Sequence, residues 1–383
     1  MQATARLAAL VLAAGRSSRA PGFKPLLPLA GSTVIENALA CFRRAGVADI
    51  TVVTGYRAAD LAPVLGRLSV RQVFNAGHAE GMFSSVLAGL RALPPETDAF
   101  FLLPADMPLV ASHTVRLLAR AWRKTGAAVV YPVFRGARGH PPLISARLLP
   151  VILAVGSRPG GLRPILAEYE PAAGELPVLD EGVLLDIDTV DDYRAVAGRC
   201  RHTPSSHVCA AIIKKFNVPE SVVRHGAMVA AVAGRLTAHL NGAGLGLDAG
   251  LIAAAGLLHD LAKGRPDHAS LGARWLRRLG YPRVAMVAGA HTDIAFTAGQ
   301  PLDEAAVIYL ADKLVDQDRI VAVDERFRRA LTKLAADDGA QAAVKARLAT
   351  ARTIAGQVEE ILGLRLEAAI ADIPAPQAAR EGR

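Results

Sequence analysis

Near residue 200 the spacing of apolar residues changes, and that change limits the possible folds more than any other feature of the chain. Up to about residue 195, short apolar runs alternate with amphipathic stretches, the signature of a largely parallel sheet flanked by helices. Leu7 to Leu12, Ile50 to Thr54, Arg71 to Phe74, Phe100 to Pro104, Ala128 to Pro132 and Val183 to Ile187 predict strands. Thr33 to Ala45, Ser84 to Leu93 and Ser112 to Lys124 predict helices, each opened by a Ser or Thr suited to capping. Beyond residue 218 apolar residues recur three and four apart and the strand pattern stops. Val222 to Leu240, Ala249 to Ala262, Ser270 to Leu279, Arg283 to Ala290, Glu304 to Arg319 and Asp324 to Leu334 predict helices. The expectation is an α/β, Rossmann-like domain with a mostly parallel sheet over residues 1–198 and a linker over 199–218. An all-α domain over 219–335 and a C-terminal helix and tail over 336–383 follow.

The 383 residues exceed one ordinary core. A formal charge of +9 suits an anionic partner. Aromatic residues make up only 5% and the Lys and Arg are scattered, which argues against nucleic acid. Cys41, Cys200 and Cys209 contain no Cys-x-x-Cys pair, which argues against a disulfide framework and a thiolate zinc site and for the cytoplasm. No stretch reaches the roughly 18 apolar residues that span a bilayer, so no membrane partner is expected. Arg6 and the run to Ala14 do imitate an export signal. That run is short, lacks an Ala-x-Ala site, and leads into Arg16, Arg19 and Lys24 where such a signal would end.

The first strand runs straight into Leu12-Ala13-Ala14-Gly15-Arg16-Ser17-Ser18-Arg19, followed by Gly22 and Lys24. Small residues let backbone N–H groups approach phosphate oxygens, and the cations neutralise charge that amides alone cannot. The spacing fits neither Gly-x-Gly-x-x-Gly nor the P-loop. Asp106 follows an apolar strand, at the edge where open α/β sheets place ligands, and a carboxylate there can hold Mg²⁺ against an α-phosphate. Gly81, Ser84 and Ser85 open a helix whose first N–H groups can serve a ligand. Arg138-Gly139-His140-Pro141-Pro142 is a tight turn, and Asp186 and Asp188 supply carboxylates after a further run.

Together these five stretches resemble the MobA-like nucleotidyltransferases, in particular their molybdenum cofactor cytidylyltransferase branch. The resemblance implies that an acceptor phosphate attacks the α-phosphorus of an NTP and pyrophosphate leaves. Arg19, Lys24 and Asp106 would be catalytic, with Mg²⁺ held by Asp106, Asp188 and Asp186. Leu12, Ala13, Ala14, Gly15, Arg16, Ser17, Gly81, Ser84 and Ser85 would bind the nucleotide, and Gly139 and His140 the acceptor. Ala13-Ala14-Gly15, where guanylyltransferases usually carry Ala-Gly-Gly, favours CTP, with a phosphorylated small molecule of molybdopterin type as acceptor. The alternative is a guanylyltransferase or another nucleotidyltransferase. Two departures are Ala20-Pro21, where a Met commonly follows the arginine, and Pro25 after Lys24.

The helical half carries His225, His259, Asp260, His268, His291 and Asp312, imidazoles and carboxylates suited to Mn, Fe or Mg-like hydrolytic sites. Leu257-Leu258-His259-Asp260-Leu261-Ala262-Lys263, His291-Thr292 and Leu310-Ala311-Asp312-Lys313 resemble the HD phosphohydrolases, especially those that cut dinucleoside polyphosphates. The resemblance implies one or two divalent metals, Fe or Mn, and a nucleotide-type substrate. His225, His259, Asp260 and Asp312 would hold one ion, and His268 and His291 would support a second. Lys263, as a catalytic residue, and Arg319 would hold the substrate's phosphates. The rival reading is a nucleotide-binding regulatory module without turnover.

Overall fold

The computed structural model describes residues 5–16, 22–156, 160–199, 203–333, 338–371 and 373–374. The chain divides into two compact units, residues 1–201 and 202–383.

The first unit is built on an eight-stranded mixed sheet. Its order is Gly174–Pro177, Val129–Phe134, Leu143–Ser145, Ala99–Pro104, Leu7–Ala13, Asp49–Thr54 and Arg71–Phe74, and Ala137–Arg138 pairs with Val129–Phe134. Leu7–Ala13 runs parallel to both neighbours, with Leu12 opposite Val53 and Pro104. The chain on either side of Ala14 and of Asp106 therefore leaves the sheet at one carboxyl edge. Leu143–Ser145 is antiparallel to both strands beside it. Phe100 and Phe101 are both fully buried although they point to opposite faces, as they must in a sheet covered on both sides.

Local chemistry corrects several boundaries. Thr33 and Glu36 form a complete capping box before Val34–Ala45. Ser84 and Ser112 are not caps: the helices Met82–Leu90 and Ser112–Thr125 follow Gly81 and Ala111, and neither has a side-chain cap. Asp180 serves the second start from a distance, accepting from Ala111 N at 2.8 Å and Thr114 Oγ1 at 2.6 Å. Val183 to Ile187 is not a strand. Asp180 accepts from Gly182 N and closes a turn over Glu181–Leu184, while Val183 O receives His140 N, so these groups go to loops and not to a ladder. Residues 143–145 and 174–177 form short strands outside the predicted set.

The second unit is helical, with Glu220–Gly242, Ala249–Leu258, His268–Arg278, Pro282–Gly289, Glu304–Lys313, Val323–Lys333 and Asp338–Leu362 as its main helices. Ser206–Lys215, inside the stretch read as a linker, is also a helix; it buries Val208, Cys209 and Ile212 and is capped by Ser205. Glu304 to Arg319 is not continuous: it stops at Lys313, and Val315–Asp316 pairs with Arg319–Ile320 around Gln317, which sits at φ 57°. Ala249–Leu258 ends just before His259, so the His-Asp pair lies on the following turn. A Cβ at Gly256 would come within 2.7 Å of Ala230 Cα, so this glycine permits the close helix approach that sets His259 beside His225. No helix among the described residues is long and apolar enough to cross a membrane.

Candidate functional sites

At the carboxyl edge of the sheet lies a cavity of about 330 Å³. Leu12, Ala13, Ala14, Gly15, Gly81 and Ser85 line it together with Lys24 and Asp106. Lys24 opens a 3₁₀ turn, and its Nζ lies 3.2 Å from Asp106 Oδ2 and 2.7 Å from Asp188 Oδ1. Burial alone would lower the lysine pKa, but the two carboxylates outweigh it and the net shift is upward. Burial pushes Asp106 up against the pull of Lys24, helped by the charge of Asp186, which is exposed. Carboxylate oxygens beside such a cavity are the donors a hard ion such as Mg²⁺ takes. Asp106 and Asp188 fit that role.

Other residues of the first unit fall elsewhere. Arg16 is exposed beyond the strand, and Ser17 and Arg19 lie outside the described residues. Ser84 is absent from the cavity wall: its hydroxyl hydrogen lies between Gly77 O at 2.9 Å and Gly81 O at 2.8 Å as alternative acceptors, and its oxygen accepts from Asn75 Nδ2. Asn75 Nδ2 also reaches Ser85 Oγ at 3.0 Å, so the serines hold a loop as well as a helix start. Gly139 and His140 do not line the cavity; their N–H groups bond Pro132 O and Val183 O. The His140 ring is buried, which lowers its pKa. Arg138 is pinned by Glu170, Glu175 and the Tyr131 ring. His78, which no motif singled out, lines the cavity with a buried Nδ1 that has no hydrogen-bond partner among the described residues. A Cβ at Gly55 would meet His78 Cβ at 2.6 Å and Ala14 Cβ at 2.9 Å, so Gly55 is the floor on which both rest.

In the second unit all six metal-type residues converge. His225, His259 and His291 each place Nδ1 against a main-chain oxygen, Gln317 O at 2.7 Å, Gly256 O at 2.8 Å and Ala288 O at 2.6 Å. A carbonyl only accepts, so Nδ1 carries a hydrogen and each Nε2 points inward, where in the neutral ring its lone pair is open to a cation. Asp260 sits between two groups: Oδ2 lies 3.5 Å from His259 Nε2 and 3.9 Å from His225 Nε2, while Oδ1 lies 3.2 Å from His268 Nε2 and 3.3 Å from His291 Nε2. Within each of the sets His225-His259-Asp260 and Asp260-His268-His291 the ligand atoms lie within 4.8 Å of one another. Asp312 Oδ1 is 3.1 Å from His225 Nε2. His259 Nε2 and Asp260 Oδ1 are buried without a hydrogen-bond partner among the described residues, an expensive state that a cation relieves. The residues fit one ion in each set.

Charge is tightly balanced there. Burial pushes the Asp260 and Asp312 carboxyls up, yet the neighbouring histidines and lysines hold both far below the usual range. Burial lowers His268 and His291, whereas the carboxylates raise His259 despite its burial. Lys263 Nζ is 2.9 Å from Asp260 Oδ2. Lys313 Nζ, on the buried side, bonds Asp312 Oδ2 at 2.7 Å and His291 O at 2.9 Å. Arg319 is exposed on the hairpin, and the arginine that reaches the cluster is Arg326, 3.9 Å from Asp312 Oδ1. Its place on a separate helix beyond the hairpin left no spacing signal.

Residues 9–173 match the MobA-like NTP transferase domain and residues 222–315 match the HD domain. The chain is 30% identical over 191 residues to the molybdenum cofactor cytidylyltransferase of Escherichia coli (strain K12), covering 48% of this chain and 92% of that one. It is 32% identical over 194 residues to nicotine blue oxidoreductase of Paenarthrobacter nicotinovorans, covering 48% of this chain and 94% of the other. A solved nucleotidyl transferase from Methanothermobacter thermautotroptrophicus shares 28% identity with a TM-score of 0.45, over 51% of this chain and 97% of that one.

Proposed function

This chain belongs to the MobA-like NTP transferase family and carries an HD domain as a second unit, and on that premise we propose that it transfers a cytidylyl group from CTP to a phosphorylated acceptor of molybdopterin type. An acceptor phosphate oxygen forms the new bond to the α-phosphorus, the bond to the bridging oxygen breaks, and pyrophosphate leaves. The observation that carries this reading is Lys24, held between Asp106 and Asp188 at the mouth of a cavity walled by the Ala13-Ala14-Gly15 turn. No side-chain nucleophile is needed, because positioning and charge neutralisation do the catalysis. Asp106 and Asp188 would hold Mg²⁺, which when bound neutralises charge developing on the phosphates. Lys24 binds phosphate oxygens, and the turn amides orient the donor.

CTP is favoured by the Ala14 methyl, which lies against Gly55 at the cavity wall, and by the similarity to a relative named as a cytidylyltransferase. The free, buried thiol of Cys41 suits the cytoplasm. Pyrophosphate release by the full chain with Mg²⁺, CTP or GTP, and a molybdopterin-type acceptor tests the reading. Turnover with GTP matching or exceeding that with CTP overturns the cytidylyl assignment.

The second unit, in this reading, is a two-metal phosphohydrolase of nucleotide-type substrates such as dinucleoside polyphosphates. His225, His259, Asp260 and Asp312 would hold one Fe or Mn ion and Asp260, His268 and His291 the other, and the ions would supply a hydroxide nucleophile near neutral pH. The inward-facing Nε2 atoms of three rings support this. Phosphate release from a nucleotide panel, measured beside metal content, tests it. A metal-loaded chain that hydrolyses none of the panel is the regulatory module instead.

A further inference from the structure

We infer that Arg326 is a phosphate-binding residue of the HD site, a second cation that grips a phosphoryl group opposite Lys263. The inference rests on the phosphohydrolase reading and adds a residue to it from outside residues 222–315, the stretch that matches the HD domain.

The helix Val323–Lys333 has an anchor that does not need Arg326. Arg329 bonds Asp316 Oδ2 at 2.6 Å, and that pair already ties the helix to the hairpin. Arg326 uses only Nη1 on the other oxygen of Asp316, at 3.2 Å. Its Nη2 makes no hydrogen bond among the described residues and stands 3.9 Å from Asp312 Oδ1. That oxygen is the one turned towards His225 and His259, at 3.1 and 3.7 Å from their Nε2 atoms. Lys263 leans on Asp260 Oδ2, which faces the same two rings.

Two cations therefore flank one locus, each resting on a different ligand carboxylate. Asp312 does not need Arg326 for neutralisation, since Lys313 holds its other oxygen from the buried side. The Arg326 side chain is 26% exposed, against 11% for Lys313, so it faces an accessible space. A guanidinium fixed at one nitrogen and open at the other is preorganised for a phosphate oxygen, because its planar fork loses little freedom on binding. Asp316 acts as the positioning residue that aims it.

The test uses the full chain loaded with Mn²⁺, inorganic phosphate as binding probe and diadenosine tetraphosphate as substrate. We expect Arg326→Met to weaken phosphate binding at least tenfold and to lower kcat/KM about 100-fold, with metal content unchanged. Arg326→Lys should recover part of both losses, since charge returns without the fork. Asp316→Asn should fall between wild type and Arg326→Met. Unchanged phosphate affinity in Arg326→Met overturns the inference, and so does a loss of metal equal to that of Asp312→Asn, which would make Arg326 a support for the ligand. A wild type that binds phosphate but hydrolyses nothing refutes the hydrolase reading alone, because the phosphate affinities still decide the role of Arg326.

Discussion

The two sites solve one problem, a concentration of buried charge, in opposite ways. In the first unit the protein supplies its own cation, with Lys24 bridging Asp106 and Asp188. In the second, Lys263 and Lys313 take only one oxygen each of Asp260 and Asp312, the other oxygens face inward-pointing Nε2 atoms, and His259 Nε2 and Asp260 Oδ1 have no hydrogen-bond partner among the described residues. A bridge closed by lysine can stand without metal and take one up with substrate, whereas a nest of imidazole lone pairs needs its ions resident. The difference predicts that chelation leaves the fold of the first unit intact and strips activity from the second.

The largest effect that would sharpen this contrast is His259→Ala. Metal content should fall from close to two ions per chain to near zero, with hydrolysis lost about 1,000-fold or more, as expected when a metal-bound nucleophile disappears. Nucleotidyl transfer should be unchanged. A wild type holding one ion, unaffected by His291→Ala, would make the second site mononuclear. Next is Asp106→Ala, which should reduce transfer about 1,000-fold by unseating Lys24 while hydrolysis continues. Comparable transfer by mutant and wild type at limiting Mg²⁺ would remove Asp106 from the reaction. His291→Ala should cost one metal equivalent, read by elemental analysis, because it leaves His225, His259 and Asp312 in place. The smallest effect is Ala14→Gly, which should narrow the preference for CTP over GTP about tenfold, the discrimination expected of one methyl group. Competition between the two nucleotides measures it, and an unchanged ratio would transfer base selection to other wall residues such as His78.

Much of the second site was legible in the sequence because its ligand types are rare in apolar helices and all six arrive at the cluster. His225 and His259 meet where glycine-lined helices cross, and the turn after Leu258 presents the adjacent pair. The parallel strands were equally legible, since full burial writes continuous apolar runs such as Phe100 to Leu103. The short pieces were not. Leu143–Ser145 has three residues, too few to establish a period, and its antiparallel direction is set by the strands on either side. The tail of the first unit misled because Val183 is as apolar as a strand residue while its carbonyl serves His140. Ser84 misled for a related reason: a serine at a helix start looks available, and only the fold shows its hydroxyl committed to Gly77 and Gly81.

The loop chemistry around residues 174–199 bears on where the molecule can be cut. The match to the transferase domain stops at residue 173, yet the chain beyond it supplies the outermost strand, the Asp180 clamp on Ala111 and Thr114, the Ile187 N–H that bonds Asp106 O, and the carboxylate of Asp188. A fragment excised at 173 would expose the flank of Val129–Phe134 to other chains and deprive the Lys24 ammonium of Asp188. Dissection of the transferase for crystallisation or transplantation into another protein therefore has to run through the helix Val190–Arg199, which buries Val196, and a cut is usable only after it.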